Sequence, residues 1–269
     1  ITMGITKIQW TDKVWNPISG CSPVSEGCQN CYARRMAYRL KGRFGYPKDD
    51  PFRVTFHPDR LDEPLHWKKS SRIFVCSMGD LFHEKVPIKA FSDIMNQILK
   101  CHRHTFLFLT KRPNRMLDLL GKQAPDWPDW QMALLYEYRI PIANLWLGVS
   151  VENQRTADER IPILLQIPAA KRFVSVEPML GLINLEDYFY YGKGRYEDTP
   201  GGQRYHIWDQ TLNWVICGGE TGPKARPMNL DCARLLRDQC RTAGVPFFMK
   251  QITDKRAIPK DLMISEFPK

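Results

Sequence analysis

Residues 145–178 read LWLGVSVENQRTADERIPILLQIPAAKRFVSVEP, and this stretch decides the fold. Two largely apolar runs, Leu145–Val151 and Arg172–Val176, are continuous rather than alternating, as is typical of parallel strands that are covered on both faces. Between them, Asn153–Gln166 has the periodicity of a helix. A strand, a helix and a second strand in this order predict one unit of a parallel α/β sheet.

The same rhythm of strand and helix recurs along the whole chain of 269 residues. Eight runs are predicted strands: Val14–Ile18, Arg53–His57, Arg72–Cys76, Thr105–Leu109, Leu145–Val151, Arg172–Val176, Trp214–Cys217 and Pro246–Met249. Helical patterns fall at Asn30–Leu40, Ile88–His102, Asn114–Leu120, Asn153–Gln166 and Asp231–Ala243. This alternation predicts an α/β fold, with a full or partial (β/α) barrel as the leading architecture and an open doubly wound sheet as the alternative. No Gly-x-Gly-x-x-Gly follows the first strand, which argues against a dinucleotide-binding sheet.

One segment, residues 184–213, interrupts this rhythm. It contains several glycines and little periodicity, and we interpret it as an inserted lid or binding loop in a single domain that spans residues 1–269. An irregular excursion without a role is the alternative.

The composition is that of an ordinary globular protein with a basic balance, since the formal net charge is +10. Basic surfaces favour nucleic acids and other phosphate-rich partners, although charge alone identifies no ligand. No apolar run approaches the roughly 18 residues that a membrane span needs, and residues 1–10 lack the apolar core of a signal peptide. We therefore expect a cytoplasmic protein whose eight cysteines stay reduced.

Three cysteines lie close together near the start of the chain, in the order Cys21-x6-Cys28-x2-Cys31. A structural zinc site needs a fourth protein ligand and a ferredoxin-type cluster needs a fourth cysteine. No Cys or His lies between Cys31 and His57, so the local ligand set ends at three. An incomplete ligand set suggests a metal centre that takes part in chemistry.

Polar residues follow most of the predicted strands, and reactive groups of α/β barrels project from the carboxyl ends of strands. We expect most of these residues to line one cavity: the cysteine loop, His57, Asp80, Lys111, Glu152, Glu177, Glu220 and Lys250. The alternative for each is the solvated start of a loop, and Asp80 could also cap a helix.

Two further features at strand ends are candidates for chemistry. In Gly218-Gly219-Glu220, the glycines let the backbone approach a ligand and Glu220 can accept from an ammonium or a ribose hydroxyl, or the tripeptide is a plain turn. Cys76 and Cys217 each end a predicted strand. They are either inert packing residues or redox-active hydrogen donors.

A three-cysteine loop after the first strand, an aromatic residue next to the last cysteine and a barrel rhythm together resemble the radical S-adenosylmethionine superfamily. The usual first gap in that superfamily is three residues, whereas six separate Cys21 from Cys28. More narrowly, five motifs resemble a family found in phages and prokaryotes: Ile8–Asp12, Trp15–Pro17, Cys31–Ala33, Phe108–Pro113 and Ser175–Pro178.

The resemblance implies a partial or full barrel in which Cys21, Cys28 and Cys31 ligate a [4Fe–4S] cluster. The amino and carboxylate groups of S-adenosylmethionine would chelate the open iron. Reductive cleavage would then give methionine and a 5′-deoxyadenosyl radical that abstracts hydrogen from a substrate. An electron donor such as flavodoxin or ferredoxin is implied as a partner.

The resemblance also implies roles for the other site residues. Tyr32 would lie near the adenine and Gly218, Gly219 and Glu220 near the methionine end, while Glu152 and Glu177 would contact the ribose or the substrate. The catalytic candidates are Cys76, Cys217 and Lys111.

The basic charge suggests a nucleic acid or nucleotide substrate, with Lys111, Arg112, Arg226 and the Arg34-Arg35 pair as candidate phosphate contacts. Each of these could equally be a solvated surface cation. The main alternative function is a zinc-dependent nucleic-acid-binding protein in which His57 or His83 completes the metal site. A hydrolase on a barrel would explain the carboxylates but not the cysteine loop.

Overall fold

The computed structural model describes residues 6, 8–121, 141–190, 211–253 and 256–269, and the backbone at 195–198 and 204–207. Its strands are β1 Lys13–Trp15, β2 Ile18–Ser19, β3 Thr55–Phe56, β4 Arg72–Val75, β5 Thr105–Thr110, β6 Leu145–Val151, β7 Lys171–Val176, β8 Arg195–Asp198, β9 Arg204–Ile207, β10 Trp214–Gly218 and β11 Phe247–Gln251. Its helices are α1 Tyr32–Arg39, α2 Ile88–Lys100, α3 Pro113–Leu120, α4 Gln154–Gln166, α5 Glu186–Tyr190 and α6 Leu230–Ala243.

Within these residues, seven strands form one parallel sheet in the order β1, β4, β5, β6, β7, β10, β11. This order follows the chain without a reversal, whereas a doubly wound sheet reverses direction at a switch point. The sheet curls into a partial (β/α) barrel with β1 and β11 at its two edges. The predicted α/β fold is confirmed. Of the two predicted forms of the barrel, full or partial, the chain adopts the partial one.

The five predicted helices are confirmed as α1, α2, α3, α4 and α6. Helix α4 begins after Asn153 because the side chain of this residue accepts a hydrogen bond from the Thr156 backbone N–H at 3.0 Å, while Thr156 Oγ1 accepts from the Asn153 N–H. None of the described helices is both long and apolar enough to cross a membrane.

The predicted strand Val14–Ile18 is divided in the structure. Its first part is β1 in the main sheet, while Ile18–Ser19 forms β2 and pairs antiparallel with β3. Pro17 separates the two parts, and a proline has no N–H to donate to a sheet ladder. The predicted strand at Arg53–His57 therefore lies in a two-stranded ribbon, and the main sheet has seven described strands rather than eight.

Alternating side chains of the strands build two separate apolar layers, one on each face of the sheet. The face covered by helices carries the larger layer, which includes residues of α2, α4 and α6. The inner face of the curl carries an aromatic layer of Trp10, Leu107, Phe173, Trp214, Ile216 and Phe248. The Trp214 ring lies 5.9 Å from Phe173 and 5.4 Å from Phe267, measured between centroids, so the C-terminal segment joins this layer.

Part of the irregular segment at 184–213 has regular structure. It contains α5 and an antiparallel ribbon in which β8 pairs with β9. The role of this segment as a lid or binding loop stays a prediction, as does the single-domain organisation.

Replacing Gly148 by alanine should lower the free energy of unfolding by roughly 1–3 kcal/mol. Gly148 pairs with Phe173 across β6 and β7, and a Cβ atom at this position would lie 2.5 Å from the Phe173 ring. Gly181→Ala is the matched control, because the nearest atom to its added Cβ is 4.0 Å away. Urea denaturation of both variants tests the expectation, which is wrong if the two variants are equally stable.

Candidate active site

A cavity of about 420 Å³ opens at the carboxyl ends of the parallel strands. This volume lies in the range of small-molecule sites. Residues at or just after the carboxyl ends of six strands, from β4 to β11, line its wall: Cys76, Asp80, Lys111, Ser150, Glu177, Gly219, Glu220 and Lys250. The structure thus brings together Asp80, Lys111, Glu177, Glu220 and Lys250, five of the strand-end residues singled out from the sequence.

The three cysteines of the loop, Cys21, Cys28 and Cys31, all line this cavity. They are partly exposed, and they form no disulfide in the part of the chain that is described. Hydrogen bonds from the Cys28 N–H to the Ser25 carbonyl and from the Cys31 N–H to the Cys28 carbonyl fold the loop back on itself. Tyr32, the first residue of α1, lines the cavity beside them with a half-exposed ring.

Cysteine thiolates are the usual protein ligands of iron–sulfur clusters, so the chemistry of this donor set fits such a group. The three thiols share one cavity with polar groups of the strand ends, which leaves room for a second ligand beside them. The described residues contain no cluster of three His, Cys, Asp or Glu side chains that is placed to bind a single metal ion.

Glu152 contacts the middle of the cysteine loop and holds it in place. Its carboxylate is fully buried, forms ion pairs with Lys111 and with Arg160 at 3.2 Å, and accepts a hydrogen bond from Ser25 Oγ at 2.9 Å. Gly27 passes so close that an added Cβ would lie 2.4 Å from Glu152 Oε1. Burial acts to raise the pKa of Glu152, but the two cations outweigh it and lower the pKa.

Arg112 holds the first cysteine of the loop. Its Nη1 donates to Cys21 Sγ and to the Asp80 carboxylate, both at 3.2 Å, and its Nη2 donates to the Ser22 carbonyl at 2.9 Å. Thr110 Oγ1 donates to the same Asp80 carboxylate at 2.8 Å. Burial, with the nearby Asp80, raises the pKa of the Cys21 thiol to about 12, so a cation that binds this sulfur displaces a proton.

Glu220 holds the end of the loop that leads into α1. Its carboxylate accepts from Arg226 Nη2 at 2.7 Å, from the Arg226 backbone N–H at 2.8 Å and from Asn30 Nδ2 at 2.9 Å. Burial acts to raise the pKa of Glu220, but these hydrogen bonds outweigh it and lower the pKa to about 2. Arg226 Nη2 also donates to the Glu26 carbonyl at 3.1 Å, so this pair fastens the loop at two points.

Glu177 and Lys250 face the cavity as an ion pair. Lys250 Nζ lies 2.6 Å from Glu177 Oε1, and Gln251 Nε2 donates to the same oxygen at 3.1 Å. About a fifth of each charged side chain is exposed, at 22% for Glu177 and 19% for Lys250. Unlike the fully buried Glu152, this carboxylate can still accept from a ligand.

Several residues singled out from the sequence lie outside the cavity wall. Glu152 and Gly218 do not line it, and Cys217 is fully buried on the helix-covered face with its Sγ 3.7 Å from Met179 Sδ. Alternation along β10 explains this, because Ile216 faces the inner aromatic layer and its neighbour Cys217 must face the other way. A catalytic role for Cys217 stays a prediction without support from this placement.

The two histidines of the zinc alternative have other partners. His57 is buried and its Nε2 lies 2.7 Å from Ser19 Oγ, while His83 Nε2 lies 2.8 Å from Ser22 Oγ. Neither is among the described residues that line the cavity.

Most of the cations proposed from the sequence as phosphate contacts are engaged inside the protein. Lys111 pairs with Glu152, Arg112 pairs with Asp80, and Arg226 pairs with Glu220. Arg35 donates to the Thr221 carbonyl at 2.9 Å. Arg34 is exposed.

Four residues that fasten the site were not singled out from the sequence: Ser25, Asn30, Asn153 and Arg160. Arg160 could have been identified from the sequence pattern. It lies within the apolar stripe of α4 formed by Ala157, Ile161 and Leu164, and a charge in a buried stripe requires a buried partner. Asn30 has no such signal, because its partner Glu220 is 190 residues away in sequence.

The family model described as "Protein of unknown function (DUF5131)" matches residues 5–261. The chain belongs to this family. No curated protein matches the sequence.

Solved structures that resemble the DUF5131 chain include three of spore photoproduct lyase. A cysteine-to-serine mutant aligns over 93% of this chain and 79% of its own length, with a TM-score of 0.51 and 11% identity. A tyrosine-to-phenylalanine mutant has a TM-score of 0.49 at 10% identity, covering 94% and 79%. A mutant with bound AdoMet and dinucleoside spore photoproduct has a TM-score of 0.48 at 12% identity, covering 94% and 79%. At this identity the likeness is one of fold, and the fold is the partial barrel of spore photoproduct lyase.

Replacing Glu220 by glutamine should lower the free energy of unfolding at pH 7 by roughly 2 kcal/mol and flatten its fall in acid. The pKa of this carboxyl is about 2 when folded, below its ordinary value of 4.5, so the unfolded chain binds a proton first and stability falls from about pH 5 towards pH 2. The exposed Glu186→Gln is the control and should keep the wild-type acid limb. Urea unfolding between pH 7 and pH 3 measures both, and an unchanged acid limb in Glu220→Gln would contradict the assignment.

Proposed function

We propose that the chain is a radical S-adenosylmethionine enzyme, with Cys21, Cys28 and Cys31 holding a [4Fe–4S] cluster. One observation carries the proposal: all three cysteines line the same cavity as the polar strand ends of a partial barrel. When bound, the cluster supplies the electron that cleaves S-adenosylmethionine to methionine and a 5′-deoxyadenosyl radical.

The residues of the cavity wall would bind and orient S-adenosylmethionine. The exposed face of Tyr32 offers a flat apolar surface to the adenine. Glu177 accepts from ribose hydroxyls, and Lys250 offers its ammonium to the carboxylate of the methionine end, because both reach the cavity with part of their charge exposed. Gly219 and Glu220 line the same cavity.

Other residues would position the cluster ligands or keep water out. Glu152 acts through Ser25 and Gly27 rather than through a ligand, and Lys111 acts through Glu152. The apolar side chains of Ile8, Phe74 and Leu109 line the cavity and exclude water from its inner end.

Cys76 is proposed as a hydrogen donor to the substrate. It is buried, yet it lines the cavity at the end of β4, and it has a positive φ of 60°, which is uncommon for a residue with a side chain. Strained backbone of this kind clusters at functional sites.

We further propose a nucleic acid or nucleotide as substrate, on the ground of the net charge of +10. The reducing electron would come from a cytoplasmic donor such as flavodoxin or ferredoxin.

Anaerobic reconstitution with iron and sulfide tests the proposal. Wild-type protein should bind about four iron atoms per chain and release 5′-deoxyadenosine from S-adenosylmethionine when dithionite is added. Cys28→Ala should lose both the iron and the cleavage, because it removes one of the three ligands. Cys232→Ala is the matched control, since Cys232 is also partly exposed but lies on α6, and it should keep both.

A second variant tests whether Cys76 is a ligand of the cluster. Cys76→Ala should keep the full iron content, because Cys76 is not placed among the ligands. A wild-type protein that takes up no iron would refute the proposed function. Loss of iron in Cys76→Ala would instead make Cys76 a fourth ligand.

A further inference from the structure

A basic and aromatic surface, Tyr32–Lys48, leads away from the mouth of the cavity. Between these residues the sequence has six Lys or Arg and no Asp or Glu. Five of the cations are exposed and have no ion pair among the described residues: Arg34, Arg39, Lys41, Arg43 and Lys48. Asp49, the next residue, forms an ion pair with Arg53 at 2.5 Å.

Exposed rings are interleaved with these cations. Tyr32, Tyr38 and Phe44 are 55%, 51% and 56% exposed, and Tyr190 is the remaining large exposed aromatic in the described part of the chain. Such rings, left largely in water beside exposed cations, present flat apolar faces to a ligand. Stacking of bases on such rings, with cations tracking the backbone, is how proteins bind single-stranded nucleic acids.

The turn that carries Phe44 is held in a strained conformation. Phe44 has a φ of 52°, in the left-handed region that a bulky residue rarely adopts. The Gly42 N–H donates to the Tyr46 carbonyl and the Tyr46 N–H donates to the Arg43 carbonyl, both at 3.0 Å, and Arg60 Nη2 donates to the Phe44 carbonyl. Because Tyr46 is buried, these contacts fix the turn and present the Phe44 ring outward.

The surface is continuous with the site. Tyr32 and Ala33 line the cavity, and α1 runs from them for eight residues to Arg39, a distance of about 12 Å. A strand laid along α1 and the following turn therefore reaches the cavity mouth within a few nucleotides.

We propose that the surface Tyr32–Lys48 binds a single-stranded segment of nucleic acid, with bases stacked on Phe44 and Tyr38 and phosphates on Arg34, Arg39, Lys41 and Lys48. This rests on the proposed function only in taking nucleic acid as the substrate. Duplex nucleic acid fits less well, because its bases are already stacked and cannot reach the rings.

Fluorescence anisotropy with a labelled oligodeoxythymidine of about 20 nucleotides tests the surface, using the full chain without iron or S-adenosylmethionine. Arg39→Gln/Lys41→Gln should weaken binding and reduce the slope of log affinity against log salt by about 1.4, as expected for two lost phosphate contacts. Lys68→Gln/Lys69→Gln is the matched control: it removes the same charge from exposed lysines next to the start of β4, at the opposite end of the sheet, and should bind like wild type.

Two variants of Phe44 separate stacking from charge. Phe44→Leu keeps an apolar side chain but removes the flat ring, so it should weaken binding roughly tenfold with the salt slope unchanged. Phe44→Trp should restore the affinity. Equal binding by all Phe44 variants, equal loss in the Lys68/Lys69 control, or tighter binding of a duplex would overturn the proposal.

Assays of S-adenosylmethionine cleavage in the same variants distinguish the two proposals. If every variant cleaves S-adenosylmethionine and binds the oligonucleotide like wild type, the proposed binding surface is refuted and the proposed enzyme function is not. Absence of iron and of cleavage, with the expected binding defects present, would refute the radical enzyme and leave the surface standing.

Discussion

The buried carboxylate of Glu152 is the group on which the geometry of the site depends. A fully buried charge is tolerated only when cations and hydrogen-bond donors surround it, and removing one partner of such a pair costs about 3–5 kcal/mol. Lys111 from the end of β5, Arg160 from α4 and Ser25 from the cysteine loop meet this requirement together. The requirement fixes these three elements relative to one another, and with them the place where the cysteines enter the cavity.

The same arrangement recurs on both sides of Glu152. Asp80 with Arg112 holds the first cysteine, and Glu220 with Arg226 and Asn30 holds the end of the loop. In each pair the two opposite charges neutralise each other, although the sequence suggests that these residues bind a ligand. The Glu177 carboxylate differs from the others in its exposure, which is 22% for its side chain, against 0% for Glu152, 7% for Asp80 and 6% for Glu220.

Local sequence signals predicted the elements and the edge of the sheet where the site lies. Continuous apolar runs gave the strands, and their terminal glutamates marked the carboxyl ends. Strand alternation could also have predicted that Cys217 faces away from the cavity, since its neighbour Ile216 faces inward. The pairing of Asn30 with Glu220 could not be foreseen, because these two residues are 190 positions apart and meet only through the curl of the sheet. Without its partner Glu220, Arg226 looked like a free phosphate contact.

Three consecutive residues at the end of β5 each fasten a different part of the site: Thr110 binds Asp80, Lys111 binds Glu152 and Arg112 binds Cys21. Insertion or deletion of one residue here would move all three side chains out of register at once, so the segment has no tolerance for a change of length. A substitution disturbs one of these contacts at a time, and a change of length is better tolerated in the loops at the opposite end of the strands.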